Sequence, residues 1–247
     1  MKMILALAGA VILSSSLVFA QGAALPAEPF AVVELFASEG CSSCPPADEL
    51  LGQIAADASR NHQRIYTLSF EVDYWDSLGW KDPYSSPLFT ERQHQYAKAL
   101  ASSKVYTPQM IVNGQDAFVG SDASHAKEAI IKSLSTPAAA SIRLTVDQLQ
   151  DGLKINYELS KQIPNTILNI ALVERKVQSH VTAGENEGRI LNHVNVVRTF
   201  KSIVFTGVRG SIVIAQPQEK DLSAYSLIAY AQSRPDMTVL AATAVDL

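Results

Sequence analysis

Apolar and polar residues are spaced differently in the two halves of the chain. In the first half, compact apolar runs predict strands at Ala31–Ala37 and at residues 65–70. Each run is followed by a stretch whose apolar residues recur every three to four positions, which is helical spacing. The predicted helices cover residues 45–58, 86–101 and 124–134. Two further strands, at residues 106–112 and 117–119, flank a typical hairpin turn at Asn113-Gly114.

From residue 141 onward the chain alternates between apolar and polar residues, as in Ile142, Leu144 and Val146. Six to eight short strands of this kind over roughly 105 residues favour a β-sandwich. We place the boundary near Thr136-Pro137. The predicted fold is therefore an α/β domain at residues 30–136 followed by an all-β sandwich domain at 137–247. After the hairpin turn at Asp151-Gly152, residues 153–159 alternate in the same way. The remaining strands are predicted at residues 166–173, 190–200, 211–215, 225–231 and 238–245.

The first 20 residues have the pattern of a secretory signal peptide. Lys2 precedes an apolar run, and small residues stand before a cleavage point after Ala20. The alternative, a retained membrane anchor, is disfavoured because the run is short and contains three serines. Residues 21–29 read as a flexible lead-in. We therefore expect a periplasmic or secreted protein with no stable membrane insertion after cleavage.

Composition and net charge limit the classes of partner that we expect for this chain. The 247 residues are 47% hydrophobic and 18% charged, which is typical of a globular protein. The net charge is −4, from 20 basic and 24 acidic residues, and removal of Lys2 leaves 19 against 24, or −5. This balance argues against nucleic acid and against attraction to anionic membranes.

Cys41 and Cys44 are the only cysteines, and they stand where the first strand leads into the first helix. The positive end of a helix dipole lowers the pKa of a thiol and makes it a nucleophile. We interpret Cys41 as the attacking thiol and Cys44 as the resolving thiol. The predicted redox group is this disulfide, with no other cofactor.

Two other roles for the cysteine pair are weaker. A bridge that encloses two residues contributes about 2 kcal/mol by loop closure, against ~4.7 kcal/mol for a 100-residue loop. A structural zinc ion needs four ligands, and no second Cys-x-x-Cys or His-x-x-x-His motif accompanies the pair. No metal site is predicted.

The element order, with Cys41-Ser-Ser-Cys44 at a strand-to-helix junction and Thr107-Pro108 at the head of a later strand, resembles a thioredoxin-like domain. The resemblance implies a cis proline that packs beside the disulfide, with Thr107 and Pro108 holding the backbone of a substrate. The alternative is a proline that merely opens an edge strand.

More narrowly, the chain is similar to a family of exported bacterial proteins catalogued as domain of unknown function 1223. The likeness rests on residues 33–48, 72–83, 105–114 and 184–189. It implies a thioredoxin-like fold without a settled activity. It also implies that relatives often carry histidine at the position of Glu71. Residues 184–189 read as a solvated hairpin loop, and only the resemblance suggests that they contact the redox domain.

Two acidic residues near the cysteines are ambiguous. Glu34 lies within an apolar strand, where a buried carboxylate is costly without a partner or a task. It is either a proton relay for the inner cysteine or a buried glutamate satisfied by hydrogen bonds. Glu39 precedes Cys41 by two residues and would oppose thiolate formation. Its simpler interpretation is a solvated turn residue.

The segment from residue 73 to 84 has no clean period and carries both tryptophans. Tyr74, Trp75 and Trp80, interleaved with carboxylates, are typical of a substrate-binding loop. The equal alternative is a packed loop. The spacing of its aspartates matches no known cation loop, and the five histidines are scattered without an evident thiol partner.

The sequence thus predicts an exported thiol–disulfide oxidoreductase that acts on exported protein thiols or on a redox partner protein. The main alternative is a non-catalytic binding protein or scaffold whose disulfide is structural. A copper handler is a third, weaker possibility. The enzymatic hypothesis requires that Cys41 be open to solvent and that Pro108 lie near it.

Overall fold

The computed structural model describes residues 27–204, 207–217 and 221–247. This part of the chain forms three α-helices and eleven strands. The helices are α1 (Pro45–Arg60), α2 (Pro87–Ala99) and α3 (Ala123–Leu134). The strands are β1 (Ala31–Ala37), β2 (Ile65–Glu71), β3 (Gln109–Val112), β4 (Asp116–Val119), β5 (Ile142–Leu149), β6 (Gly152–Leu159), β7 (Thr166–His180), β8 (Ile190–Val204), β9 (Arg209–Ile214), β10 (Tyr225–Ser233) and β11 (Val239–Asp246).

Eight strands form one large mixed sheet in the order β11-β10-β7-β8-β2-β1-β3-β4. β1 and β2 are parallel, as expected for strands joined by a helix. β3 and β4 continue the sheet as an antiparallel hairpin. On the other side, β8 pairs in parallel with β2 through Ser69 and Val196.

The helices cover both faces of the sheet because successive side chains of β1 point to opposite sides. Val33 and Leu35 face the core that contains α1, α3 and the cysteines. Val32 and Phe36 face the opposite core, which α2 covers with Phe89 and Tyr96. β1 is buried on both faces, which explains its continuous apolar run.

A second sheet of three strands, in the order β5-β6-β9, packs against the large sheet. Ile142, Leu153 and Ile155 of the small sheet share a core with residues of β7 and β10 such as Leu172 and Leu227. The alternating burial of β5 and β6 follows from having one face on this core and one face in solvent.

The predicted elements are present and most of their bounds agree within a few residues, and the mixed α/β class with its β-rich second half is confirmed. The sequence did not indicate the length of β7 and β8, which are 15 residues each. Nor did it indicate that strands from both sides of Thr136-Pro137 share one sheet. The division into two domains stays a prediction.

Within the described residues, no helix is long and apolar enough to cross a membrane. The predicted signal peptide, and most of the predicted lead-in, lie outside the described residues.

Candidate functional site

Cys41 and Cys44 form a disulfide at the junction between β1 and α1. Cys44 is the N-cap of α1, and Pro45 begins the helix, where a backbone donor is not needed. The Sγ atom of Cys41 lies 3.3 Å from the hydroxyl of Ser43. The pair therefore occupies the predicted strand-to-helix position.

Both cysteines are closed off from solvent: Cys41 is 0% exposed and Cys44 is 1% exposed. They pack into the core formed by α1, α3 and one face of β1. The expectation that Cys41 is open to solvent is therefore wrong for this conformation. A loop from the β-rich half also packs against the backbone around Cys41.

We call residues 181–189, between β7 and β8, the cap loop. The side-chain amide of Asn186 donates to the carbonyl oxygens of Glu39, at 2.8 Å, and Cys41, at 3.0 Å. The carboxylate of Glu185 accepts a hydrogen bond from the backbone N–H of Ser42 at 3.1 Å. The contact with the cysteine segment that only the family resemblance suggested is therefore present.

The two tryptophans connect the cysteine segment to its surroundings. The indole N–H of Trp75 donates to the hydroxyl of Thr107 at 2.8 Å. The indole N–H of Trp80 donates to the carboxylate of Glu39 at 2.8 Å. Both rings are half-buried, and Gly184 of the cap loop lies against Trp80. The contacts favour the packed-loop interpretation for both tryptophans, while Tyr74 stays at the surface with 36% exposure.

Thr107 and Pro108 precede β3, which is the neighbour of β1, and the peptide bond between them is cis. A β-carbon placed on Gly120 would meet the side chains of Leu35, Pro108 and Ala47 at 2.8, 3.0 and 3.1 Å. Pro108 therefore lies beside the first turn of α1, which starts directly after Cys44.

Glu34 does not lie behind the disulfide, and the expected proton-relay role is corrected by the alternation of β1. Its side chain faces the α2 side of the sheet, opposite to Leu35 and the cysteines. There Arg92 binds it through two hydrogen bonds, at 2.7 and 2.8 Å. Tyr96 donates a third at 2.7 Å. Glu34 is thus a buried carboxylate satisfied by partners, the alternative that the sequence left open.

Arg92 is the centre of this second network, and the sequence did not single it out. Its guanidinium group also donates to the hydroxyl of Tyr230 at 2.8 Å and lies over four aromatic rings. Burial raises the pKa of Tyr96 and Tyr230 well above the ordinary value, so both stay neutral.

A different set of acidic residues lies on the disulfide side of the sheet. Glu39, Asp48, Glu71 and Asp82 surround His193, and we call these five residues the buried acidic cluster. The Nε2 atom of His193 lies 3.5 Å from Glu39, and its Nδ1 atom lies 3.4 Å from Asp48. Asp48 stands one helical turn after Cys44, and Glu71 ends β2 on the same face of the sheet. All five side chains are buried, so the expectation that Glu39 is a solvated turn residue is wrong.

Burial and mutual repulsion shift the protonation of this cluster. Burial, with the charge of Asp82 next, raises the pKa of Glu71 well above its ordinary value. Burial also raises the pKa of Asp48, and that of Asp82 to about 6. Burial opposes the charge on His193, but Asp48 and Glu39 outweigh it and raise its pKa to about 11.

Burial would likewise raise the pKa of Glu39, but His193, Ser179 and Trp80 lower it. These partners therefore favour the carboxylate form of Glu39.

The sequence carries only weak signals for the site residues that it did not single out as functional. Asp48 follows Cys44 by four residues, the spacing that puts two side chains on one helix face. Glu71 stands at the end of a strand, and the family resemblance had drawn attention to it. Asn186 lies in the segment 184–189 that only the family resemblance singled out. His193 carries no local signal, because only the pairing of the long strands and the packing of α1 on β8 bring it to the site.

Fold and site together define a mixed α/β protein with a buried Cys-Ser-Ser-Cys disulfide under a loop from its β-rich half. The chain belongs to the family described as protein of unknown function (DUF1223), whose family model matches residues 32–232. No curated protein matches the chain.

Two solved structures are similar in fold. One is a protein from Agrobacterium tumefaciens solved as a structural genomics target, with 24% identity and a TM-score of 0.67. The match covers 88% of this chain and 94% of that protein. The other is HBP35 of Porphyromonas gingivalis, with 13% identity and a TM-score of 0.63, covering 90% of this chain and 76% of that protein. At these identities the likeness concerns the fold alone.

Proposed function

We propose that this protein is an exported thiol–disulfide oxidoreductase that acts on protein thiols through Cys41 and Cys44. The observation that carries the proposal is the disulfide at the start of α1, with Pro108 beside the first turn of that helix. Trp75 links the two parts by its bond to Thr107 and its packing against the cysteine segment. A disulfide with only a bracing role needs none of these neighbours.

We also infer a thioredoxin-like arrangement for the first half of the chain. The strand order β2-β1-β3-β4 supports it, with β3 antiparallel to β1. So does the placement of α1 and α3 on one face and α2 on the other. In the second half, the packing of the β5-β6-β9 sheet on β7 and β10 supports the β-sandwich interpretation.

The proposed reaction is exchange through a mixed disulfide. In the reduced protein, the thiolate of Cys41 attacks one sulfur of a substrate disulfide, and the other substrate sulfur leaves as a thiolate. Cys44 then attacks the Cys41 sulfur as a thiolate, which forms the intramolecular disulfide and releases the second substrate thiol. Two electrons pass to the substrate and Cys41–Cys44 is oxidised. The opposite direction runs through the same steps in reverse.

This chemistry requires the cap loop to open. In the closed conformation Asn186 and Glu185 hold the backbone on both sides of Cys41, and no protein thiol can approach its sulfur. The loop is held to the cysteine segment by a few hydrogen bonds, each worth about 1 kcal/mol, so opening is accessible at modest cost.

The proposal is tested by trapping. Cys44→Ala leaves Cys41 without its resolving thiol, so mixed disulfides with exported proteins should accumulate and be released by a reductant. Cys41→Ala is the matched control and should trap much less, because it lacks the proposed attacking thiol and keeps only the resolving one. A Cys44→Ala protein that captures no more than the Cys41→Ala protein would refute the proposal.

A second experiment tests the opening of the cap loop. Asn186→Ala removes two hydrogen bonds to the cysteine segment, and a loss of about 1 kcal/mol for each gives roughly a tenfold or larger increase in the rate of disulfide reduction by dithiothreitol. Asn192→Ala, an exposed asparagine on β8, is the control and should react like the wild type. Equal rates for all three proteins would show that the cap loop does not limit access.

The burial of both cysteines favours one other candidate, a non-catalytic binding protein with a structural disulfide. A redox titration separates the two. A reduction potential of about −120 to −270 mV is typical of exchange catalysts, and one below about −300 mV is typical of structural bridges.

A further inference from the structure

Three side chains of the buried acidic cluster converge from separate elements. Asp48 comes from α1, Glu71 from the end of β2 and His193 from β8. One ligand atom of each lies within 4.8 Å of the others, and all three residues are buried. Residues so far apart in the sequence meet because β8 lies beside β2 and beneath α1.

These side chains point polar atoms at one another without satisfying them. Asp48 Oδ1, Glu71 Oε2 and both ring nitrogens of His193 are buried and have no hydrogen-bond partner. Glu71 is satisfied on one side only, where its Oε1 accepts from Ser69 at 2.7 Å. Buried carboxylate oxygens without partners are costly, so such a group is normally completed by a proton donor or a cation.

The charge of the buried acidic cluster also favours an added cation. Four carboxyl groups surround one imidazole, and even a fully protonated His193 supplies one positive charge against them. Both side-chain oxygens of Asp82 already have hydrogen-bond partners. They accept hydrogen bonds from the backbone N–H groups of Glu39 and Tyr84, at 2.8 Å each. Asp48 and Glu71 each keep one buried carboxylate oxygen without a hydrogen-bond partner, as does Glu39.

We propose that Asp48, Glu71 and His193 bind one divalent first-row transition-metal ion. Two donors that each lie about 2.1 Å from an ion are at most about 4.2 Å apart. The observed separations, within 4.8 Å, reach that limit by small rotations of side chains. One imidazole and two carboxylates suit zinc, manganese or iron(II) better than calcium, which prefers oxygen donors alone.

The neighbours of His193 support the assignment. Its Nδ1 atom faces Asp48, so Nδ1 is the ligand atom. Its Nε2 atom faces the carboxylate of Glu39, and a carboxylate commonly orients a metal-bound histidine in this way. The indole of Trp80 fixes Glu39 in turn at 2.8 Å. Glu39 is therefore a positioning residue of the proposed site.

The inference is independent of the proposed redox activity, and its test avoids the thiols. The full-length oxidised protein is treated with a chelator, and retention of the disulfide is verified by mass spectrometry so that no thiolate can bind metal. Zn²⁺ and, separately, Mn²⁺ are then titrated by calorimetry. We expect one ion per chain for at least one of the two metals and a rise in Tm on binding.

Variants locate the site. Glu71→Gln and Asp48→Asn keep the side-chain shape, and each should weaken binding at least 100-fold and abolish the rise in Tm. His94→Ala removes an exposed histidine on α2 and should bind like the wild type. Because both amides preserve volume, circular dichroism should report folded proteins before metal is added.

Each alternative outcome overturns the proposal. Absence of stoichiometric binding of either metal to the wild type would mean that His193 closes the cluster as an imidazolium ion. Unchanged binding in Glu71→Gln and Asp48→Asn would place the ion elsewhere. A loss in His94→Ala as large as in these variants would mean adventitious surface binding.

Discussion

At the scale of single residues, Glu34 and Arg92 form a buried ion pair that connects the two halves of the chain. The pair is almost completely buried, with side-chain exposures of 1% and 4%. The charges are compensated by direct pairing, and Tyr96, Tyr230 and Gln232 complete the hydrogen bonds of the two side chains. Two of these partners come from β10, so a network centred on β1 and α2 depends on the β-rich half.

Replacing Glu34 by Gln should therefore destabilise the protein strongly. The change leaves Arg92 as an uncompensated buried cation, for which we expect a loss of about 3–5 kcal/mol in the free energy of unfolding. Urea denaturation measures this loss. Glu158→Gln is the control, because its ion pair with Arg209 is exposed and such pairs contribute about 1 kcal/mol or less.

The same variant separates the two roles considered for Glu34. Because its carboxylate lies on the face of β1 opposite to the cysteines, the pH dependence of thiol alkylation in the reduced protein should match that of the wild type. A shifted profile in folded Glu34→Gln protein would restore the relay hypothesis.

What the sequence shows about a residue depends on how local its partners are. The burial of Glu34 could be predicted from its apolar neighbours in β1. Its partner could not, since Arg92 lies 58 residues further along the chain. Cys41 and Cys44 carry their own motif and were correctly placed at the start of α1. Their burial was not predictable, because Asn186 reaches them from more than 140 residues away.

At the scale of elements, the cap loop behaves as a small folded unit. Val181 and Arg189 close its base, with the N–H of Val181 donating to the carbonyl of Arg189 at 3.0 Å. Gly184 and Gly188 adopt left-handed backbone conformations, with φ of 77° and 80°, that turn the chain within the loop. We therefore expect the loop to leave the cysteine segment as one piece, pivoting on the ends of β7 and β8.

Acid should loosen this loop through Glu185. Hydrogen bonds from the side chain and backbone of Ser42 hold the pKa of Glu185 below its ordinary value of 4.5. A lowered pKa means that the carboxylate stabilises the closed loop above pH 4.5, and that this stabilisation is lost as the pH falls through the lowered value. Opening should increase in that acidic range.

Glu185→Gln measures the effect, since glutamine stands for the protonated acid. At pH 7 the variant should be reduced by a phosphine faster than the wild type, by roughly two- to fivefold for one weakened hydrogen bond. As the pH falls through the lowered pKa of Glu185, the two rates should converge, because the wild-type acid is then protonated as well. Glu187→Gln, in the same loop, should follow the wild type throughout. A rate ratio that stays constant across this range would contradict the role of Glu185.

Elements were predictable where their pattern is local. The apolar run of β1, the helical spacing in α1 and the Asn113-Gly114 turn all gave the correct structure. The extra length of β7 was missed because residues 174–180 are mostly polar and pair with the start of β8 instead of forming an apolar run. That extra length is what carries the cap loop to the cysteines.

At the scale of the whole molecule, the large sheet crosses the predicted domain boundary. β8 covers the edge of β2 that would otherwise be exposed. The core on the α2 side joins Phe36 and Phe70 from the first half to Val197 and Tyr230 from the second. The sequence showed a change of pattern near residue 136, but the pairing of β2 with β8 has no sequence signature. The change of pattern therefore coincides with the start of the β-rich half, although the large sheet runs across it.

We expect a fragment of residues 30–136 to fail to fold on its own. Without the second half, β2 would have an unpaired edge, Phe36 and Phe70 would be exposed and Arg92 would lose its partners from β10. The fragment should give a poorly dispersed NMR spectrum and no cooperative urea transition. In the full chain, tryptophan fluorescence, which reports the first half, should change together with far-UV circular dichroism, which includes the strands of the second. A fragment with dispersed resonances and its own cooperative transition would show that the sheet joins two independent domains, because β8 would then add to a β2 edge that is already stable.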